Sequence, residues 1–240
     1  MHRYKTVDAQ RLRLEYIESM SETFASIPKE LMINVDETAI NYEYVPPKTL
    51  AEKGRGKNNV ADMKVRHDRI TAVLGITAAG QKLPILFILP GQPNGPITNE
   101  EIPSLPGEHF YVTQPNAWMD GNVWEYYVEH VLAYSVAGPS KLFVDNLKVH
   151  VNDKSVDLVG YHCGSEVCPL PKNTTSVFQP LDVGVMGPLK SIIKSKWLKS
   201  QKGVTAREKR ANIINITIGA LEQLNEATVV GSWKKALDVE

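Results

Sequence analysis

The run Leu31-Met32-Ile33-Asn34-Val35-Asp36 places a carboxylate at the end of a largely apolar stretch. The chain repeats this arrangement in Lys141-Leu142-Phe143-Val144-Asp145, and a third acid follows a loop in Gln179-Pro180-Leu181-Asp182. Short apolar runs of this kind predict buried strands. Because burial of a carboxylate costs several kcal/mol unless it meets a cation or another partner, the three acids predict a divalent metal site.

The first part of the chain is typical of a helix followed by an antiparallel sheet. Apolar residues recur at helical spacing over 8–27, which predicts a helix. The β-rich runs lie at 31–36, 40–45, 70–77 and 83–89, and the second of them looks like the hairpin partner of the first. This order predicts an antiparallel meander.

An irregular surface excursion is predicted from Pro90 to Pro115, a stretch rich in Gly, Pro and Asn, with a short strand at 110–112. Helix and strand then alternate: a helix begins at Asp120 and is followed by a strand over 141–145, a helix over 148–159 and a strand over 166–170. This order favours parallel strands.

Ligands of such sheets bind at the carboxyl ends of the strands, where Asp36 and Asp145 are expected. Asp182 precedes an apolar and basic segment over 185–199 with helical spacing. The acid is therefore expected near a helix N-terminus, where the helix dipole favours its ionised form. Pro188 either begins this helix or kinks it.

The 240-residue chain has a formal net charge of zero, but its charges are unevenly distributed. Basic residues concentrate between Lys190 and Arg210, and again between Lys48 and Arg69. Each patch taken alone fits a solvated surface as well as it fits a nucleic-acid contact.

The sequence shows no membrane or export signal. No apolar run approaches the roughly 20 residues of a membrane span, and the N-terminus lacks the apolar core of a signal peptide. Cys163 and Cys168 are the only cysteines, which is consistent with a reducing compartment. We therefore expect no membrane partner and a cytosolic or nuclear location.

Three blocks of sequence carry a family resemblance. They are Val35-Asp36-Glu37-Thr38, the stretch from Asp145 to His150, and the stretch from Leu170 to Asp182. These blocks resemble the catalytic blocks of DDE superfamily endonucleases, in the pogo/Tigger/jerky transposase branch of the mariner superfamily, which also includes centromere protein B-like host proteins. The third block is long and specific. The turn Ala117-Trp118-Met119-Asp120 before a predicted helix adds to the resemblance.

The resemblance implies a fold and a chemistry. The fold is α/β, a ribonuclease H-like mixed sheet flanked by helices, with a catalytic domain over residues 31–200. A helical lead-in over 1–30 and a C-terminal helical extension over 201–240 flank it. Asp36, Asp145 and Asp182 correspond to a metal-binding catalytic triad that holds two ions, Mg²⁺ or Mn²⁺. The activity implied is metal-dependent cleavage and strand transfer on DNA in the nucleus.

Residues near the acids are candidates for contacts with DNA phosphates. These candidates are Arg55, Lys57, His150, Thr174, Thr175, Gln179, Lys190 and Lys194. The sequence leaves two roles open for each of them. The threonines and Gln179 either contact phosphates or only hold their loop, and His150 either orients a phosphate or only packs inside the protein. Glu37 is expected to point to the strand face opposite Asp36 and to form a salt bridge or a backbone contact rather than bind metal.

One departure from the family concerns DNA recognition. Members of this branch carry paired helix-turn-helix modules ahead of the catalytic domain, and the 30 residues before the first predicted strand are too few for them. We therefore expect DNA targeting to depend on a homodimer or on a separate DNA-targeting protein. The alternative function is that of a non-catalytic, transposase-derived DNA- or chromatin-binding protein. The presence of all three acids favours catalysis.

Overall fold

The computed structural model describes residues 6–42, 69–172, 174–201 and 203–239. Arg55 and Lys57, two of the predicted DNA contacts, lie outside the described residues, and so does the side chain of Thr175. Residues 43–45 of the expected hairpin partner also lie outside them.

A mixed sheet of six strands forms the centre of the fold. The strands are β1 Met32–Asn41, β2 Arg69–Thr77, β3 Leu86–Pro90, β4 Phe110–Gln114, β5 Lys141–Val144 and β6 Glu166–Pro169. Their order in the sheet is β4-β3-β2-β1-β5-β6. β1 pairs antiparallel with β2, and β2 pairs antiparallel with β3. β4 pairs parallel with β3, β5 with β1, and β6 with β5. The predicted meander and the predicted parallel half are both confirmed.

β1 extends further than the sequence indicates. The prediction of a separate hairpin partner over 40–45 is wrong, because β1 continues to Asn41, which pairs with Arg69 of β2. Asp36 and Glu37 therefore lie inside a strand rather than at its end. β2 pairs with β1 along nearly its whole length, so the backbone groups of β1 keep their partners despite the two acids.

Helices cover both faces of the sheet. They are α1 Thr6–Ser19, α2 Ser21–Ser26, α3 Gly121–Tyr126, α4 Ala133–Ser135, α5 Lys148–Val151, α6 Asp153–Cys163, α7 Thr175–Phe178, α8 Met186–Lys199, α9 Ala206–Gln223 and α10 Glu226–Leu237. Stretches of π-helix join α3 to α4, over Tyr127–Leu132, and lead into α8, over Leu181–Val185. Among the described residues, no helix combines the length and the apolarity that a membrane span requires.

Two predicted helices are divided by breaks. The helix predicted over 8–27 is α1 and α2, and the one predicted over 148–159 is α5 and α6. Asn152 lies between α5 and α6 with an extended backbone, and its Oδ1 accepts a hydrogen bond of 3.0 Å from the backbone N of Ser155. This bond caps the start of α6. Pro188 is the third residue of α8, which continues directly from the π-helical stretch Leu181–Val185.

Two hydrophobic layers bury the two faces of the sheet. On one face, Met32 and Ile40 of β1 pack in a cluster that includes Trp233 of α10. On the other face, Ile33 and Val35 pack in a cluster with residues of α3 and α6. Side chains alternate along a strand, so Asp36 belongs to the face of α8 and α10, and Glu37 belongs to the face of α3 and α6.

The excursion after β3 is held on the surface by an ion pair with α9. It contains a π-helical turn over Ile97–Glu101 and a 3-10 turn over Ile102–Ser104, and it ends in β4, which confirms the predicted short strand. Arg210 donates two hydrogen bonds to Glu101, of 2.9 and 2.6 Å. The two side chains are only 13% and 15% exposed, so this bidentate pair anchors the excursion in a partly buried contact.

The Glu101–Arg210 pair generates a stability prediction. Glu101→Gln removes the carboxylate charge from a partly buried contact, so we expect the free energy of unfolding to fall by about 1–3 kcal/mol. Glu100→Gln changes the exposed neighbour and should shift it by less than about 0.5 kcal/mol. Urea denaturation followed by tryptophan fluorescence measures both variants, and equal losses would show that the ion pair does not anchor the excursion.

Candidate active site

The strand register brings two of the three acids side by side. β1 and β5 are parallel, with Met32 opposite Lys141 and Asn34 opposite Phe143. Two residues further along each chain lie Asp36 and Asp145, at the same level of the sheet. Neighbouring strands are about 4.8 Å apart, so the register accounts for the approach of these two carboxylates. Asp145 follows the end of β5 as predicted, whereas Asp36 lies within β1.

A buried asparagine joins all three acid-bearing segments. Asn34 has no solvent exposure, and its Nδ2 donates a hydrogen bond of 2.9 Å to the carbonyl of Phe143. Its Oδ1 accepts one of 3.0 Å from the backbone N of Leu181. Asn34 lies two residues before Asp36, Phe143 lies two before Asp145, and Leu181 lies immediately before Asp182. One side chain therefore fixes the backbone beside each acid.

Asp182 lies at the start of the helical stretch that leads into α8. It is the second residue of the π-helical segment Leu181–Val185, and its side chain is exposed. The prediction that it stands near a helix start is confirmed. The beginning of the third block is tied to the same edge of the sheet, because the side-chain amide of Asn146 donates a hydrogen bond to the carbonyl of Leu170.

The charges of the three carboxylates act on one another. The pKa of Asp36 is raised well above its usual range, first by burial and then by the negative charges of Glu37, Asp182 and Asp145. Partial desolvation raises the pKa of Asp182, the cation of Lys190 lowers it, and the charge of Asp145 adds to the rise. Mutual repulsion of this kind shows that the acids share one region. A cation bound among them would relieve the repulsion.

Asp145 is part of a hydrogen-bonded chain that crosses to β1. Its Oδ1 accepts a hydrogen bond of 2.9 Å from the backbone N of Leu147 and lies 2.8 Å from Nδ1 of His150. Nε2 of His150 lies 3.1 Å from Oε1 of Glu37. The His150 ring is fully buried and packs on Trp124 with a centroid separation of 4.5 Å.

This chain sets the protonation of its members. Burial disfavours the charged form of His150, but hydrogen bonds to Asp145 and Glu37 outweigh it and raise its pKa to about 9. Burial raises the pKa of Asp145, and the hydrogen bonds from His150 and from Leu147 outweigh that effect, so its pKa lies below the ordinary value. The expectation that Glu37 points away from Asp36 and forms a salt bridge is confirmed.

Three predicted phosphate contacts need correction. His150, Thr174 and Gln179 are 0%, 2% and 0% exposed, so they are not placed to contact DNA. His150 holds Asp145 and Glu37, and the hydroxyl of Thr174 donates to the carbonyl of Pro171, which holds the loop. The side-chain amide of Gln179 has no hydrogen-bond partner among the described residues. The sequence motif did not reveal the burial of these positions.

Two of the predicted lysine contacts lie on α8. Lys190 is exposed, Lys194 is partly exposed, and Lys190 is near enough to Asp182 to lower its pKa. Both cations lie on the helix that follows Asp182. Sequence reasoning missed the role of Asn34. The signal available was a lone amide inside an apolar run.

The donor set fits a hard divalent cation, since carboxylate oxygens are the ligands that Mg²⁺ and Mn²⁺ prefer. Asp36, Asp145 and Asp182 supply such oxygens. Among the described residues, however, no three His, Cys, Asp or Glu side chains are already arranged to hold one ion. The structure therefore places Asp36 and Asp145 at the same level of the sheet, with Asp182 near them, without closing the three acids around a single position.

Comparisons with known proteins identify the family and the fold of this chain. Residues 67–233 match the family described as DDE superfamily endonuclease, which is more than half of the chain. The Mos1 transposase paired-end complex with left transposon end is 12% identical, with a TM-score of 0.51, over 98% of this chain and 65% of that one.

Two further Mos1 structures match this chain with similar identity, coverage and TM-score. The Mos1 mariner paired end complex with Mn is 13% identical over 96% of this chain and 64% of that one, with a TM-score of 0.50. The mariner Mos1 paired end complex with Mg is 12% identical over 96% of this chain and 64% of that one, also with a TM-score of 0.50. The chain thus spans just under two thirds of these transposases. These likenesses confirm the expected α/β fold, a ribonuclease H-like mixed sheet flanked by helices.

The position of Asn34 generates a second stability prediction. Asn34→Leu keeps the approximate volume but removes both hydrogen bonds and leaves the buried N–H of Leu181 without its partner. We expect the free energy of unfolding to fall by about 2–4 kcal/mol, since each lost partner of a buried polar group costs about 1–3 kcal/mol. The matched change Asn116→Leu, at an exposed position, should cost less than about 0.5 kcal/mol. Chemical denaturation of both variants checks this, and a small loss at Asn34 would show that the segments associate without it.

Proposed function

We propose that this chain, which belongs to the DDE superfamily endonuclease family, cleaves and joins phosphodiester bonds of DNA with the help of two divalent metal ions. One observation carries the proposal. The acids of three separate sequence blocks lie near one another, and burial together with the charges of Glu37, Asp182 and Asp145 raises the pKa of Asp36 well above its usual range. Burying and clustering carboxylates in this way destabilises the metal-free protein and favours cation binding.

Asp36, Asp145 and Asp182 are the residues that would hold Mg²⁺ or Mn²⁺. When bound, such ions activate a water or a 3′-hydroxyl and stabilise the leaving oxygen of the phosphodiester. The protein places Asp36 within β1, holds Asp145 by hydrogen bonds, and exposes Asp182 at the start of a helical segment. Asp182 is therefore the ligand with the most freedom to move toward the other two. Mos1 structures that contain Mn or Mg support the choice of ions.

DNA is the proposed partner. Lys190 and Lys194 lie on α8, which follows Asp182, and we propose that they neutralise backbone phosphates beside the acids. A Mos1 structure with a transposon end supports DNA as the partner of this fold. Phosphate contacts carry little sequence information, so sequence recognition is assigned to a homodimer or to a separate DNA-targeting protein. Arg55, Lys57 and Thr175 stay candidates for further contacts.

We place the catalytic domain at residues 31–200, with a helical lead-in before it and a helical extension after it. α9 and α10 of the extension contribute to the hydrophobic layer against which β1 packs, so the extension completes the catalytic fold. A chain of this function would act in the nucleus. A non-catalytic DNA-binding role would require the same fold and basic surface but no dependence on the acids.

The first functional prediction concerns metal-dependent cleavage. Nicking of supercoiled plasmid DNA should require Mg²⁺ or Mn²⁺, stop with chelator, and receive no support from Ca²⁺, whose looser coordination positions the reacting oxygens poorly. Asp145→Asn should reduce the rate by at least about 100-fold, beyond the 10–100-fold typical of losing an outer hydrogen-bond partner. Asp157→Asn, an exposed position of α6, should leave the rate unchanged.

Two results would contradict this prediction. Nicking that Asp145→Asn does not reduce would point to another site or to a contaminating nuclease. DNA binding without any metal-dependent nicking would favour the non-catalytic alternative.

The second functional prediction concerns the lysines of α8. Replacing Lys190 and Lys194 with Ala should weaken binding to every duplex alike and reduce the slope of log affinity against log salt by about 0.9 per lost phosphate contact. Lys154→Ala, on a helix that covers the opposite face of the sheet, should leave the slope unchanged. Salt titrations with several unrelated duplexes measure this effect, and a slope unaffected by the double change would remove α8 from the DNA surface.

A further inference from the structure

The fully buried His150 links one proposed metal ligand to the strand that carries another. Its two ring nitrogens contact Asp145 and Glu37, which belong to different segments of the chain. From this geometry we propose that His150 and Glu37 form a positioning pair that orients the carboxylate of Asp145 for cation binding. The inference deepens the proposed function and depends on the assignment of Asp145 as a ligand.

The pair uses one oxygen of Asp145 and leaves the other uncommitted. Nδ1 of His150 and the backbone N of Leu147 both contact Oδ1, at 2.8 and 2.9 Å. Two contacts from different directions to one oxygen prevent the carboxylate from rotating about its Cβ–Cγ bond. Oδ2 takes part in neither contact, so it is the oxygen presented to a cation. Ligating carboxylates in metal sites are held by outer hydrogen bonds of this kind.

Two further contacts prevent the imidazole ring of His150 from rotating. Glu37 holds Nε2 at 3.1 Å, and its side chain is only 16% exposed. The indole of Trp124 packs on the ring with a centroid separation of 4.5 Å. A ring fixed by a carboxylate at one nitrogen and by an aromatic wall cannot reorient without breaking a buried contact.

Adjacent residues of β1 thus act on the site from both faces of the sheet. Asp36 projects toward α8 and would bind the cation directly. Glu37 projects to the opposite face and acts through His150 on Asp145. This coupling accounts for the acidic pair Asp36-Glu37 inside a strand whose neighbouring positions are buried and mostly apolar.

Direct participation of His150 in the reaction is excluded by its burial. The ring has no exposed surface and both nitrogens are engaged, so it cannot reach DNA or a reacting water. Its influence must pass through Asp145. A merely structural role is the remaining rival, in which the contacts stabilise the fold without affecting cation binding.

Mn²⁺ affinity distinguishes positioning from a structural role. His150→Phe keeps a flat ring beside Trp124 but removes both nitrogens, and it should weaken Mn²⁺ binding by about 10–100-fold, the range typical of lost outer partners. His150→Asn places an amide near the position of Nδ1, which can still donate to Asp145, and should recover most of the affinity. Glu37→Gln keeps an acceptor for Nε2 without its charge and should have an intermediate effect.

The controls separate affinity from stability. Val159→Ala creates a cavity in the same hydrophobic layer and should lower the melting temperature while leaving Mn²⁺ affinity unchanged. The double change Glu37→Gln with His150→Phe avoids an unpaired buried charge if the single His150 variant does not fold. Mn²⁺ binding is measured on the full chain by electron paramagnetic resonance, beside plasmid nicking and thermal unfolding.

The outcomes test the positioning role of His150 separately from the proposed catalytic function. Mn²⁺ affinity that is unchanged in folded His150→Phe, or lowered equally by Val159→Ala, overturns the positioning role and leaves the proposed function standing. Binding that depends on His150 without any nicking supports the positioning role and overturns the proposed catalysis. Failure of the wild-type chain to bind Mn²⁺ overturns both.

Discussion

The arrangement of the site depends on the hydrogen bonds of one buried amide. Asn34 contacts the backbone beside the second and third acids while it lies two residues from the first. A buried polar side chain that loses its partners is costly, so the correct association of β1, β5 and the segment before α8 is favoured over alternatives that leave the amide unsatisfied. The same side chain thus contributes both to stability and to the placement of the carboxylates.

The acids themselves act against this stability. Asp36 is partly buried next to other negative charges, and burial together with these charges raises its pKa and disfavours its ionised form. The structure compensates elsewhere. β2 pairs with β1 on both sides of the acids, and extensive apolar layers cover both faces of the sheet. Carboxylates with pKa values perturbed by burial and by neighbouring charges are typical of functional sites.

Family membership and geometry support each other at different levels. The match over residues 67–233 establishes the DDE superfamily endonuclease family, and the Mos1 likenesses establish the fold at 12–13% identity. Neither fixes the chemistry of this chain. The placement of Asp36, Asp145 and Asp182, together with the buried His150, provides the physical case for the proposed metal-dependent catalysis.

The sequence by itself determined the family, the α/β class, and the antiparallel and parallel halves of the sheet, and it singled out three acids whose charges act on one another in the fold. These features follow from local patterns: apolar runs, turn residues and short motifs. Only the tertiary structure decided that β1 continues past Asp36, that His150 and Gln179 are buried, and that Asn34 joins the acid-bearing segments. Each of these depends on a partner far away in the chain, such as Leu181 for Asn34 or Glu37 for His150. A local pattern shows which groups a residue can bond but not which distant group the fold brings to it.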